Sequence, residues 1–172
     1  MTTRPGDTNM RATVTPAGNL TMDGDTFRVA LGYGGIRADK REGDGATPAG
    51  LLPLRTVLYR PDRQPAPICA VSVRRLAPYD GWCDDPTHAA YNSLVRLPIN
   101  ARAEALWRED ALYDIIGVLG WNDRPVEPAR GSAIFLHVAR PDFASTEGCV
   151  ALSLETLLDV LSKGLTEILV TV

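Results

Sequence analysis

The chain has 172 residues, 45% of them hydrophobic, a length and apolar content that let one compact domain bury a core without cross-links or metal. Its 18 Lys and Arg against 21 Asp and Glu leave a net charge of -3, and the basic residues never cluster, which excludes an electrostatic footprint for nucleic acid. Three cysteines, Cys69, Cys83 and Cys149, are odd in number and widely spaced, so no disulfide framework uses all of them and no zinc-ligand pattern appears.

The first twenty residues hold no apolar core of signal-peptide length, and no apolar run approaches a bilayer span. The sequence therefore reads as soluble, without a visible export signal. It has no repeat and no linker, and residues 1–172 read as a single domain. "RATVT", "NLTM" and "TFRVAL" predict three strands, with Asp23-Gly24 as a tight hairpin turn between the second and third. "LLPLRTVLY", "ICAVSVRRL", "ALYDIIGVL" and "AIFLHVA" predict further strands, and Ile115 to Leu119 is apolar enough to be buried on both faces. Two helices are predicted. Asn100 caps "ARAEALWRED", and Ser153 caps "LETLLDVLSK", in which Leu154, Leu157, Leu158 and Leu161 share one face until Gly164. "EILVTV" supplies a last strand, so the expected class is mainly β with two helices.

Chemistry concentrates in "FLHVARPDFASTEGCVALS", residues 135–153. A strand delivers His137, a loop follows, and Cys149 comes close to a helix start, where an imidazolium or the helix dipole would lower the thiol pKa. Gly148 permits a sharp turn, and the amides of Gly148 and Cys149 are suited to hold the oxygen of a tetrahedral intermediate. Covalent acyl transfer is the leading class; two buried residues that happen to be close in sequence are the alternative.

His137 followed by Ser145-Thr146-Glu147-Gly148-Cys149-Val150 resembles the signature of the L,D-transpeptidase (YkuD-like) catalytic domain, and "DKREGDGATPAGLLPL", Asp39 to Leu54, resembles its Lys...Thr-Pro-x-Gly segment. The resemblance runs from about Phe27 to the end. It implies an L,D-transpeptidase-like β-sandwich, a peptidoglycan stem peptide as donor and another as acceptor, no metal and no cofactor. It further implies Cys149 as nucleophile, His137 as base and then acid, and the backbone carbonyl of Val138 as the group that orients the imidazole. The substrate class places such an enzyme in the periplasm or cell wall.

The sequence departs from the family pattern at Glu147, where His or Thr is common, at Ala151, where Arg or Asn is common, and in the short loop before Cys149. Arg140 is the substitute guanidinium for a stem carboxylate, with a solvated loop arginine as the alternative. The compact "TEGCVAL" segment is similar to the branch that makes 1,3 crosslinks, from L-Ala to diaminopimelate. Thr146 and Glu147 flank the nucleophile as substrate contacts. Trp82, within "APYDGWCDDPTHAAYN", is expected in a loop walling the cleft, with Asp84 and Asp85 available to an acceptor amine, and metal binding by His88 and Cys83 is rejected. Trp121 and Asn122 after the buried strand, and Tyr33 before the Thr-Pro segment, complete the expected substrate contacts. Lys40 and Arg41 read as a solvated charged loop, and Cys69 as an inert core thiol. Two rivals stand beside a transpeptidase: an L,D-carboxypeptidase or peptide hydrolase, and an inactive peptidoglycan-binding module.

Overall fold

The computed structural model describes residues 9–172; the first eight residues of the stretch read for an export signal lie outside it. The described residues begin with β1 (Met10–Thr15), β2 (Asn19–Met22) and β3 (Asp25–Arg28). Asp23 (φ 50°) and Gly24 (φ 82°) make the turn between β2 and β3, as the Asp-Gly pair predicts for a hairpin that needs two positive φ angles. Two short paired segments, β4 (Ile36–Arg37) and β5 (Thr47–Pro48), bracket the Lys40 loop and lead into the long β6 (Gly50–Tyr59). β7 (Ser72–Arg75), β8 (Asp80–Cys83), β9 (Leu94–Arg96) and β10 (Ala103–Ala105) follow. The chain ends with β11 (Ile115–Leu119), β12 (Phe135–Val138), β13 (Val150–Leu152), α1 (Leu154–Ser162) and β14 (Leu165–Val170).

One nine-stranded sheet runs β13-β12-β11-β6-β14-β1-β2-β3, with β7 beside β6. Beyond β3 the chain returns to β13, where Ala30 and Ala151 exchange two backbone hydrogen bonds of 2.9 Å, so the sheet nearly closes on itself. Alternation along β12 then sets the layers. Leu136 and Val138 face the main core, with Val14, Leu52, Val150, Leu152 and Ile168, and α1 adds Leu157, Val160 and Leu161 to it. Each of these fully buried side chains contributes roughly 1.5–3 kcal/mol relative to exposure. Phe135 and His137 face the opposite way, where Phe135 joins Leu58, Ile116, Val118, Trp82 and Leu106 in a second cluster. A three-stranded sheet, β10-β8-β9, is laid over this second side, and Trp82 meets Phe135 edge-on at 5.1 Å.

The described residues are mainly β, as expected, with one helix among them instead of two. Ser153 caps α1 by accepting the Thr156 N–H at 3.2 Å, and all five residues of β11 are buried. The helix expected from Asn100 is absent: Ala103 to Ala105 pair as β10 with β8, Glu104 opposite Trp82, and the Leu106 N–H donates to the Asp80 carbonyl at 3.0 Å. A lone helix of ten residues is marginal, so pairing with the free side of β8 overrides local propensity. The stretch around Trp82, expected as loop, becomes β8 for the same reason.

Candidate active site

Parallel pairing of β12 with β13 sets His137 opposite Ala151. Because side chains alternate, Cys149, two residues before Ala151, points to the same face as His137 and Phe135. A cleft of about 600 Å³ lies over that face, with His137 and Cys149 in its floor, 4% and 8% exposed.

The turn carrying the cysteine is built by backbone contacts. Gly148 has φ 138°, and a Cβ there would lie 2.8 Å from the Ala46 carbonyl oxygen, so only glycine fits. Thr146 Oγ1 donates to the Cys149 carbonyl at 2.7 Å and accepts the Gly148 N–H at 3.2 Å, while its backbone bonds Leu31 and Tyr33 at 2.9 Å. The Gly148 amide is thus occupied in the resting site. None of the hydrogen bonds of the described residues uses the Cys149 N–H, which stays available to an oxyanion.

The sulfur itself accepts the Phe135 N–H at 3.4 Å, and its thiol donates to the Ala133 carbonyl at 3.2 Å. Burial pushes the thiol up to about 12, the Phe135 N–H opposes this, and Glu104 and Glu147 reinforce it. A thiol pKa lowered by a helix start was expected; instead α1 begins only after β13, five residues beyond Cys149, and desolvation dominates. His137 is pushed down to about 4, chiefly by burial, with the Val138 carbonyl pulling the other way. Its Nδ1 lies 2.9 Å from the Val138 oxygen. A carbonyl only accepts, so Nδ1 carries the proton and Nε2 is the bare base. The resting pair is therefore a neutral thiol and a neutral imidazole.

Behind the cysteine turn, Gly32, Gly45 and Gly148 bring three backbones together: a Cβ on Gly32 would lie 2.2 Å from the Gly45 oxygen and 3.0 Å from the Gly148 Cα. Thr47 Oγ1 accepts the Gly32 N–H at 3.0 Å. Lys40, expected in a solvated loop, is 3% exposed, because Nζ donates to Asp44 Oδ1 at 2.5 Å and to the Arg41 carbonyl at 2.8 Å. Asp44 also accepts the Arg41 N–H at 2.8 Å and the Ala46 N–H at 2.9 Å, so one ion pair fixes the whole 40–46 loop against the cysteine turn. The profile of the YkuD family, the L,D-transpeptidase catalytic domain, matches residues 8–170. The chain belongs to the L,D-transpeptidase catalytic domain family. No curated protein matches it.

L,D-transpeptidase domains act on peptidoglycan. In this one the cleft walls bring together Tyr33, Arg140, Thr146 and Glu147 around Cys149 and His137. Tyr33 is 66% exposed, its ring resting on Gly45, where a Cβ would come within 2.1 Å of the ring. Three guanidinium groups face the cleft; Arg102 is paired with Asp84 at 3.2 Å and Arg108 with Asp110 at 2.6 Å, whereas Arg140 takes part in no ion pair among the described residues. Asp84 lines the cleft, but Asp85 binds its own turn through Thr87.

Trp82, Trp121 and Asn122 are not brought to the cleft wall. Trp82 is spent on Phe135 and donates Nε1 to Asn92 Oδ1 at 3.0 Å. Trp121 donates Nε1 to the Arg130 carbonyl at 3.0 Å, and Asn122, at φ 50°, closes its own loop by donating to the Glu127 and Gly131 carbonyls and accepting the Glu127 N–H. The polar atoms of these aromatic and amide groups are spent on loop closure and packing, and none of the three side chains lines the cleft. His88 accepts the Ala90 N–H through Nδ1 at 3.0 Å, and no group of three His, Cys, Asp or Glu side chains among the described residues is set to hold a metal ion. Cys69, half-buried against the main core, donates to the Val71 carbonyl at 3.3 Å. Among the cleft residues that escaped the sequence reading are Glu104 and Tyr113. No local signal marked them: Glu104 lies in a stretch whose apolar spacing also fits a helix, and Tyr113 reaches the cleft only through the turn before β11.

Proposed function

We propose that the protein is a cysteine L,D-transpeptidase that joins peptidoglycan stem peptides through a thioester on Cys149. The observation that carries this reading is the placing of Cys149 and His137 on one face of β12 and β13, with Nδ1 committed to Val138 and Nε2 left as the base. In the first half-reaction Nε2 takes the thiol proton as sulfur attacks the carbonyl carbon of an L,D bond. The Cys149 N–H stabilises the oxyanion, the carbon–nitrogen bond breaks, and the imidazolium returns the proton to the departing amine. In the second, the amine of another stem loses a proton to Nε2, attacks the thioester and releases the thiol.

The neutral resting pair fits this sequence, because a thiol donating to Ala133 is inert until the carbonyl of a bound stem gives its electrons a destination. Arg140, exposed at the cleft and in no ion pair among the described residues, serves the stem carboxylate as a bidentate donor. Ala151, paired beside His137 in the cleft lining, presents only a methyl group, in keeping with the branch that joins L-Ala to diaminopimelate in 1,3 crosslinks. Such a reaction belongs in the periplasm or cell wall.

Mass spectrometry of purified muropeptides incubated with the protein and with Cys149→Ala tests the proposal. Dimers formed only by the unaltered protein support it, and their fragmentation separates 1,3 from 3,3 bonds. Shortened monomers without dimers mean an L,D-carboxypeptidase. Unchanged muropeptides together with a Cys149 inert to electrophiles mean a binding module, and dimers made by Cys149→Ala would remove the nucleophile from the mechanism.

A further inference from the structure

One wall of the cleft carries two residues that the thioester chemistry leaves idle. Glu104 on β10 is in register with Trp82 on β8, so both side chains face the main sheet; Trp82 lands on Phe135 and Glu104 reaches the cleft. Glu104 Oε1 accepts a hydrogen bond from the Tyr113 hydroxyl. The Tyr113 ring, 7% exposed, meets the His137 ring edge-on with centroids 5.4 Å apart, and meets Phe135 at 5.8 Å. Arg108 lies over the same ring at 5.3 Å and forks onto Asp110 at 2.8 and 2.6 Å. Arg60 and Arg63 pin the segment from outside by donating to the carbonyls of Arg108, Glu109 and Asp110.

Among the described residues the His137 ring has one hydrogen-bonded anchor, the Val138 carbonyl. A ring held at one atom still rocks about that point, and a base displaced by about 1 Å loses on the order of 100-fold in rate. We infer that Glu104 and Tyr113 are positioning residues of this site: the carboxyl anchors the tyrosine hydroxyl, and the anchored ring holds the imidazole at the angle at which Nε2 serves Cys149. This rests on the reading of Cys149 and His137 as the reacting pair.

The carboxyl has a second effect. Burial raises Glu104, the Tyr113 hydroxyl and Arg108 draw it down again, and Asp84 and Glu147 raise it further. The carboxyl lines the same cleft as Cys149, so negative charge on it repels a thiolate there. Around Cys149, the Glu104 and Glu147 charges oppose a thiolate and Lys40 favours one, while Tyr113 and neutral His137 line the same cleft. Glu104 therefore helps to keep the empty site in its thiol form.

The test follows iodoacetamide modification of Cys149 by peptide mass mapping from pH 7 to 11, beside stem-peptide kinetics. Glu104→Gln keeps an acceptor for the tyrosine and removes the charge, so alkylation at fixed pH quickens about threefold or more and the profile moves to lower pH. Tyr113→Leu lowers kcat about tenfold or more with KM little changed. Tyr113→Phe keeps the buried ring and loses only the anchor, and a smaller fall in kcat is expected of it even where the leucine variant does not fold. Wild-type kcat in both tyrosine variants overturns the positioning role, and a wild-type alkylation profile in Glu104→Gln overturns the charge effect on the thiol. Alkylation reads the thiol without turnover, so a protein that alters no muropeptide still answers for Glu104.

Discussion

Acidification isolates the burial of His137. An ordinary histidine titrates at 6.5, and His137 is held down to about 4, so between these values the unfolded chain takes up a proton that the folded protein refuses. Stability is therefore unaffected by this residue above pH 6.5 and falls as pH drops from there to about 4. At about 1.4 kcal/mol per tenfold change in proton affinity, the full loss is roughly 3 kcal/mol. Urea unfolding of the protein and of His137→Gln at pH 7, 5.5 and 4 measures it. Carboxylates shared by both proteins contribute equally, so the difference belongs to the histidine: the variant loses about 3 kcal/mol less than the unaltered protein over this range. Parallel losses would show that the folded site accepts the proton freely, and would refute the neutral resting imidazole.

The other predictions concern the walls. Gly148→Ala puts a methyl group 2.8 Å from the Ala46 oxygen in a backbone region L residues avoid, and a loss of about 2 kcal/mol or more is expected in chemical denaturation. Lys40→Met strands the Asp44 carboxylate beneath the cysteine turn; a loss of about 3 kcal/mol is expected, and Lys40→Met with Asp44→Asn should recover part of it. Arg140→Ala should raise KM for a stem peptide about tenfold with kcat nearly unchanged, as the proposed carboxylate contact requires; unchanged KM would return it to a solvated loop.

What was legible in the sequence was local. Asp23-Gly24 announces its hairpin and Ser153 its helix, because turn and cap chemistry act over a few residues. The motif around His137 and Cys149 was visible because one strand pair and one loop bring the two together. The misreadings came from longer range. "ARAEALWRED" has a helical face, yet β8 claims its backbone; Trp82 and Trp121 look like a cleft lining, yet each ring is spent in packing and its N–H on a loop acceptor. Lys40 is charged in a charged loop, and only the folded chain shows that Asp44 lets it be buried. Glu104 and Tyr113, nine residues apart, meet over His137 through a turn that no local pattern encodes.

The seam between Ala30 and Ala151 constrains how a stem peptide approaches. Peptide-binding enzymes often take their ligand as one more strand, zipped backbone to backbone onto a free sheet edge. Here the strand after the nucleophile has β12 on one side and Ala30 on the other, so the Ala151 amide and carbonyl are already taken. On the proposed function, a stem meets the face of the sheet and is recognised there by its side groups and charged ends. That mode suits a chain of alternating L and D centres, whose backbone cannot follow the regular ladder of an all-L strand.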